Sequence, residues 1–77
     1  MTREEQAAAL AEGLFMSSVP TSQELSPRDA RQAALRTLRK DGGPRHCAAE
    51  VAAEFGDSPE TALPRMRWAR EALGLAA

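Results

Sequence analysis

The chain has no Ile and no Tyr, and only two Val, so the residue types that populate strands are scarce and a β-sheet domain is excluded. It has one Cys, which cannot close an intrachain disulfide, so a stapled secreted scaffold is excluded as well. The one His, His46, is the immediate neighbour of Cys47, and adjacent helical side chains point about 100° apart rather than at each other. No spacing of His, Cys or carboxylates matches a zinc or calcium site. The one Gly pair, Gly42-Gly43, is followed by Pro44-Arg45 rather than by the Gly-Lys-Ser/Thr of a phosphate loop. These absences leave no catalytic residues to nominate, and a non-enzymatic protein without metal or cofactor is expected. No apolar run approaches the roughly 18–20 residues of a membrane span, and Met1-Thr2-Arg3-Glu4-Glu5 lacks a signal pattern, so a cytoplasmic protein with no membrane contact is expected.

What is present points to helices. The 77 residues suit one domain, 1–77, and the 33 hydrophobic residues include 16 Ala against 8 Leu, 3 Met, 2 Phe and 1 Trp. Ala, Leu, Arg, Glu and Gln dominate, all of them good helix formers, which makes the class all-α. A chain this short buries only about 60% of its unfolded surface, so every large side chain matters.

Thr2-Arg3-Glu4-Glu5 has the form of a capping box, and Ala7, Leu10, Ala11, Leu14 and Phe15 follow at helical spacing, predicting a helix over 3–16 with one apolar stripe. Ser17 to Ser26, broken by Pro20, forms a linker or an ordered arm. Ser26-Pro27-Arg28-Asp29 starts a second helix running to about Lys40. Ala30, Ala33, Ala34, Thr37 and Leu38 share its inner face, and Arg28, Arg31, Arg36 and Arg39 spread over the other. Asp41-Gly42-Gly43 ends it. A third helix, about 44–55, presents Cys47, Ala48, Val51, Ala52 and Phe55, with Gly56 as a left-handed stop. Ser58-Pro59-Glu60 opens a fourth helix to about Leu73, closed by Gly74. Pro64 lies inside it and cannot donate to the Glu60 carbonyl, so the helix either kinks there or begins afresh at Pro64.

The stretch Val51-Ala52-Ala53-Glu54-Phe55-Gly56-Asp57-Ser58-Pro59-Glu60-Thr61-Ala62 resembles the core of a helix-turn-helix. Val51, Ala52 and Phe55 match its packing positions, Gly56 its turn, Ser58 its cap, and Ala62 and Met66 the inward positions of its second helix. Leu25 to Gly74 as a whole is similar to the DNA-binding domains of LuxR-type regulators and to region 4 of sigma factors. The resemblance implies a four-helix domain in which a trihelical core over 27–74 carries the N-terminal helix. It also implies duplex DNA as partner, contacted by Arg65, Arg67 and Arg70, with help from Arg28 and Arg45.

The fourth helix is apolar on two sides. Ala62, Met66, Ala69 and Leu73 fall on one, and Pro64, Trp68, Ala72 and Leu75 on nearly the opposite one. Either the first helix folds back and covers Trp68, or Trp68, Leu75, Ala72 and Pro64 meet a protein partner or a second copy in a homodimer. Residues 1–25 carry a net −3, from Arg3 against Glu4, Glu5, Glu12 and Glu24, while 26–77 carry nine basic and seven acidic residues, a net +2. Two functions follow: a transcription regulator that binds DNA, or a helical interaction module that binds protein and not DNA.

Overall fold

The computed structural model describes residues 1–40 and 42–75 and contains four helices and no strand among them: α1 Arg3–Phe15, α2 Pro27–Lys40, α3 Pro44–Asp57 and α4 Pro59–Ala72. The all-α class follows the composition. Three of the four helices open on a proline, whose preset φ suits the first turn and whose missing N–H is not needed there.

The local caps form as their residues dictate. The Thr2 hydroxyl accepts the Glu5 amide at 3.1 Å and the Glu5 carboxylate accepts the Thr2 amide at 2.9 Å, bonds that hold the Glu5 carboxyl below its ordinary pKa. Ser26 Oγ accepts the Asp29 amide at 3.1 Å. At the far end, Gly74 takes φ 73°, the Leu75 amide donates to Arg70 O and the Gly74 amide to Glu71 O, the paired bonds of a Schellman stop. Asp41, expected in the stop after the second helix, lies outside the described residues, as do Ala76 and Ala77.

The bend between α3 and α4 is not where the sequence pattern placed it. Gly56 has no positive φ and lies inside α3, which continues to Asp57; the chain turns at Ser58 alone, with φ −146° and ψ 65°. Pro59 is the cause, because its ring excludes the helical region for the residue before it. Ser58 stands at the N-cap position, yet its hydroxyl makes no cap bond; its carbonyl accepts the Thr61 and Ala62 amides instead. Pro64 does not split α4, which runs unbroken from Pro59 to Ala72. The carbonyl of Glu60 that loses its donor sits on an exposed residue, where water can replace the bond.

The first helix is more than a cover. Its buried residues, Ala9, Ala11, Gly13, Leu14 and Phe15, lie all round the axis rather than on the single stripe of Ala7, Leu10, Ala11, Leu14 and Phe15, and all three other helices pack on α1. Two small clusters result. Leu14 joins Ala30, Ala33, Ala34 and Ala69; Phe15 joins Val51 and Ala62, and Met66 touches both groups. The Phe15 ring stacks on Phe55 at 6.1 Å. On α3, Ala52 is exposed, so it does not fill the packing position assigned to it, whereas Cys47 and Val51 are buried.

Small residues let α1 and α2 approach closely. A Cβ on Gly13 would lie 2.8 Å from the Ala34 carbonyl oxygen and 2.9 Å from Leu38 Cγ. The inner face of α2 is otherwise Ala30, Ala33, Ala34 and Thr37, all buried, with the Thr37 hydroxyl donating to Ala33 O at 3.0 Å.

The last turn of α1 contains no basic residue, and Glu12 lies near that negative end, half-buried, with its pKa raised by desolvation. A carboxyl with a raised folded-state pKa destabilises the fold while ionised and ceases to do so as the pH falls through that pKa. Glu12→Gln is therefore expected to stabilise at neutral pH by about 0.3–1 kcal/mol. Denaturant titrations across pH should find the gain closing in acid; a gain independent of pH would contradict this.

Candidate functional site

The cation missing from the end of α1 comes from α4, fifty residues on. Arg65 Nε donates to Phe15 O at 2.8 Å, Nη2 to Ser17 O at 2.9 Å and Nη1 to Thr21 Oγ1 at 2.9 Å. The guanidinium also lies over the Trp68 ring, 4.7 Å from its centroid, and 5.9 Å from that of Phe15. Half-burial lowers its pKa from the ordinary arginine value, a desolvation effect too small a threat to a guanidinium to remove its charge. Arg65 thus closes α1 and fastens the segment that follows. Three of its five N–H groups are engaged within the chain, so it is held against α1 and the segment that follows rather than standing out from α4 as expected of a phosphate contact.

That segment, residues 16–26, is an ordered arm. Ser17 Oγ donates to Leu14 O at 2.6 Å and accepts the Val19 amide at 3.3 Å, the Gln23 amide donates to Pro20 O, and Val19 and Leu25 pack on the Leu14 cluster. Trp68 is half-buried against the same cluster, and its indole N–H donates to Gln23 O at 2.9 Å. The shelter for Trp68 therefore comes from the arm, from Arg65 and from the Leu14 cluster. A shallow groove runs between arm and α4, lined by Gln23, Glu24, Leu25, Trp68, Glu71 and Ala72. Of the four residues nominated for a protein partner, Trp68 and Ala72 share this groove; Pro64 and Leu75 are not in its lining.

The remaining nominated cations stand apart. Arg67 and Arg70 are exposed on α4, and Arg70 Nη2 donates to Leu75 O at 3.2 Å, bracing the helix stop. Arg28 is exposed on α2 and Arg45 on α3. Of the ten Lys and Arg residues, nine are exposed, and Arg65 is the exception. Among the described residues no Lys or Arg nitrogen lies within 4.0 Å of a carboxylate oxygen, and the one contact of that kind is between His46 Nε2 and Glu50 Oε1 at 4.0 Å.

Sequence reasoning missed two things here. Arg31, Arg36, Arg39 and Lys40 were not nominated, although counting charge per helix rather than per half of the chain singles them out. The clamp role of Arg65 had no local signal, because its acceptors lie in another element. Among the described residues no helix is long and apolar enough to cross a membrane. No protein-family model, curated protein or solved structure matches the chain.

Proposed function

We propose that this chain is a small, non-enzymatic DNA-binding protein that serves transcription. One observation carries the reading: nine exposed Lys and Arg side chains are without a carboxylate partner among the described residues, in a chain whose formal net charge is only −1. Unpaired cations held on rigid helices are what a phosphate backbone engages. DNA as the polyanion and the link to transcription come from the likeness of the 25–74 stretch to helix-turn-helix regulators. Within it Val51, Phe55, Ala62 and Met66 keep their packing roles, while the Gly56 turn, the Ser58 cap bond and the Ala52 contact do not form. The competing reading, a protein-binding module centred on Trp68, was motivated by the need to shelter that ring. Its indole bond to Gln23, its packing and the Arg65 stack remove that need.

Fluorescence anisotropy with a labelled duplex tests the reading. Binding is expected in 50 mM salt, weakening by about two orders of magnitude or more by 200 mM as displaced counterions lose their entropic advantage. No binding at the lower salt, or binding indifferent to salt, would overturn it.

A further inference from the structure

We infer that the duplex lies along the outer face of α2, with its phosphates against Arg28, Arg31, Arg36 and Arg39, and not against the helix that follows the α3–α4 bend. This rests on the DNA-binding reading above and names the site for it.

Charge is the first argument. Within Pro27–Lys40 stand five of the ten basic residues and one acid, Asp29, a net +4 in a chain of net −1, which leaves −5 for everything else. All five cations are exposed. A helix face that merely dissolves in water usually mixes signs at three- and four-residue spacing. Here Arg28 and Arg31, Arg36 and Arg39, and Arg36 and Lys40 are like-charged neighbours at those spacings. Such repulsion weakens the isolated helix and is relieved when an anion arrives.

Geometry is the second. At about 100° per residue, Arg31, Arg28, Arg39 and Arg36 sweep an arc of about 140° on the side opposite Ala30, Ala33, Ala34 and Thr37. Those small inward residues seat α2 against α1 at Gly13, so the arc stands out from the body on a helix that is fixed in place. Fourteen residues rise about 21 Å, a length over which a duplex presents about twelve phosphate charges.

The alternative surface is poorly equipped. A recognition helix reads base edges with its N-terminal residues. The exposed residues there on α4 are Pro59, Glu60, Thr61, Leu63 and Pro64. Two are prolines, one is apolar, Glu60 repels phosphate, and the Thr61 hydroxyl already donates to Ser58 O. Arg65, one turn further on, faces its own chain.

Four phosphate contacts imply a slope of about −3.6 for log affinity against log salt, or a loss of about 150-fold between 50 and 200 mM. The triple variant Arg31→Gln, Arg36→Gln, Arg39→Gln is expected to flatten this to about −0.9, a loss of about 3.5-fold over the same range. The matching triple Arg→Lys keeps the charges and is expected to keep the parent slope, which separates charge from any change in folding. The double variant Arg67→Gln, Arg70→Gln is expected to weaken binding less than about twofold. A parent that fails to bind duplex overturns the DNA reading itself. A parent that binds, with the α4 double variant abolishing binding and the α2 triple variant leaving the slope intact, overturns the placement on α2 alone.

Discussion

Replacing Gly13 by Ala is expected to lower the melting temperature by about 8–16 °C, although Ala is the better helix former by about 1 kcal/mol. The added Cβ would stand 2.8 Å from a backbone oxygen, that of Ala34, and 2.9 Å from Leu38 Cγ. A backbone oxygen in a packed helix cannot rotate away, so the α1–α2 crossing at Gly13 must open. Overpacking of this kind costs about 3 kcal/mol at the upper end of its range, which leaves a net loss of about 2 kcal/mol. Gly56→Ala provides the matched comparison. Its Cβ would meet nothing within 4 Å, and its φ is not positive. That variant is expected to gain about 0.4–1 kcal/mol, chiefly by restricting the unfolded chain. Thermal denaturation of the pair checks both signs. A Gly13→Ala protein as stable as the parent would contradict the close helix crossing, and a destabilised Gly56→Ala protein would restore the glycine turn.

Arg65→Ala is expected to cost about 2–4 kcal/mol, a large fraction of the roughly 4–12 kcal/mol that a chain of 77 residues commands. Three hydrogen bonds from one cation disappear, the Phe15 carbonyl at the end of α1 loses its cationic partner, and the Trp68 ring loses its covering guanidinium. Because the site is half-exposed, water recovers part of the loss, which keeps the figure below the sum of its parts. Arg65→Lys is expected to recover less than half, since one ammonium cannot reach Phe15 O, Ser17 O and Thr21 Oγ1 together. The arm should loosen first, so amide exchange over residues 17–25 quickens and Trp68 emission moves to the red. A fully stable Arg65→Ala protein with an unchanged spectrum would show that the clamp carries nothing.

Those two positions also mark the boundary of what the amino-acid order discloses. Three caps were legible because each depends on residues within one turn: Thr2 with Glu5, Ser26 with Asp29, Gly74 with Arg70 and Glu71. The expected Ser58 cap bond and Gly56 stop do not form. The inner face of α2 was legible because Ala30, Ala33, Ala34 and Thr37 repeat at helical spacing. The central place of α1 was not, because Ala9 and Gly13 are buried off its apolar stripe and carry too little apolar surface to mark a second one. The bend was attributed to Gly56 when Pro59 makes it, since glycine permits many conformations and only φ decides which one is used. For the candidate site, the exposed arginines of α2 were seen as a face but not as a concentration, because the acidic residues elsewhere conceal it in the net charge. Arg65 was read as a ligand-facing cation because nothing near it in sequence announces acceptors forty-four to fifty residues away.

The most direct measurement follows the arginine Nε–H resonances of the intact chain by nitrogen-edited NMR as a short duplex is added. Arg65 should exchange slowly with solvent, as a donor to Phe15 O must, and should stay in place throughout the titration. Arg28, Arg31, Arg36 and Arg39 should shift or broaden together with a common midpoint. A titration in which Arg65, Arg67 and Arg70 move while the α2 arginines remain silent would contradict both the clamp and the placement of DNA on α2.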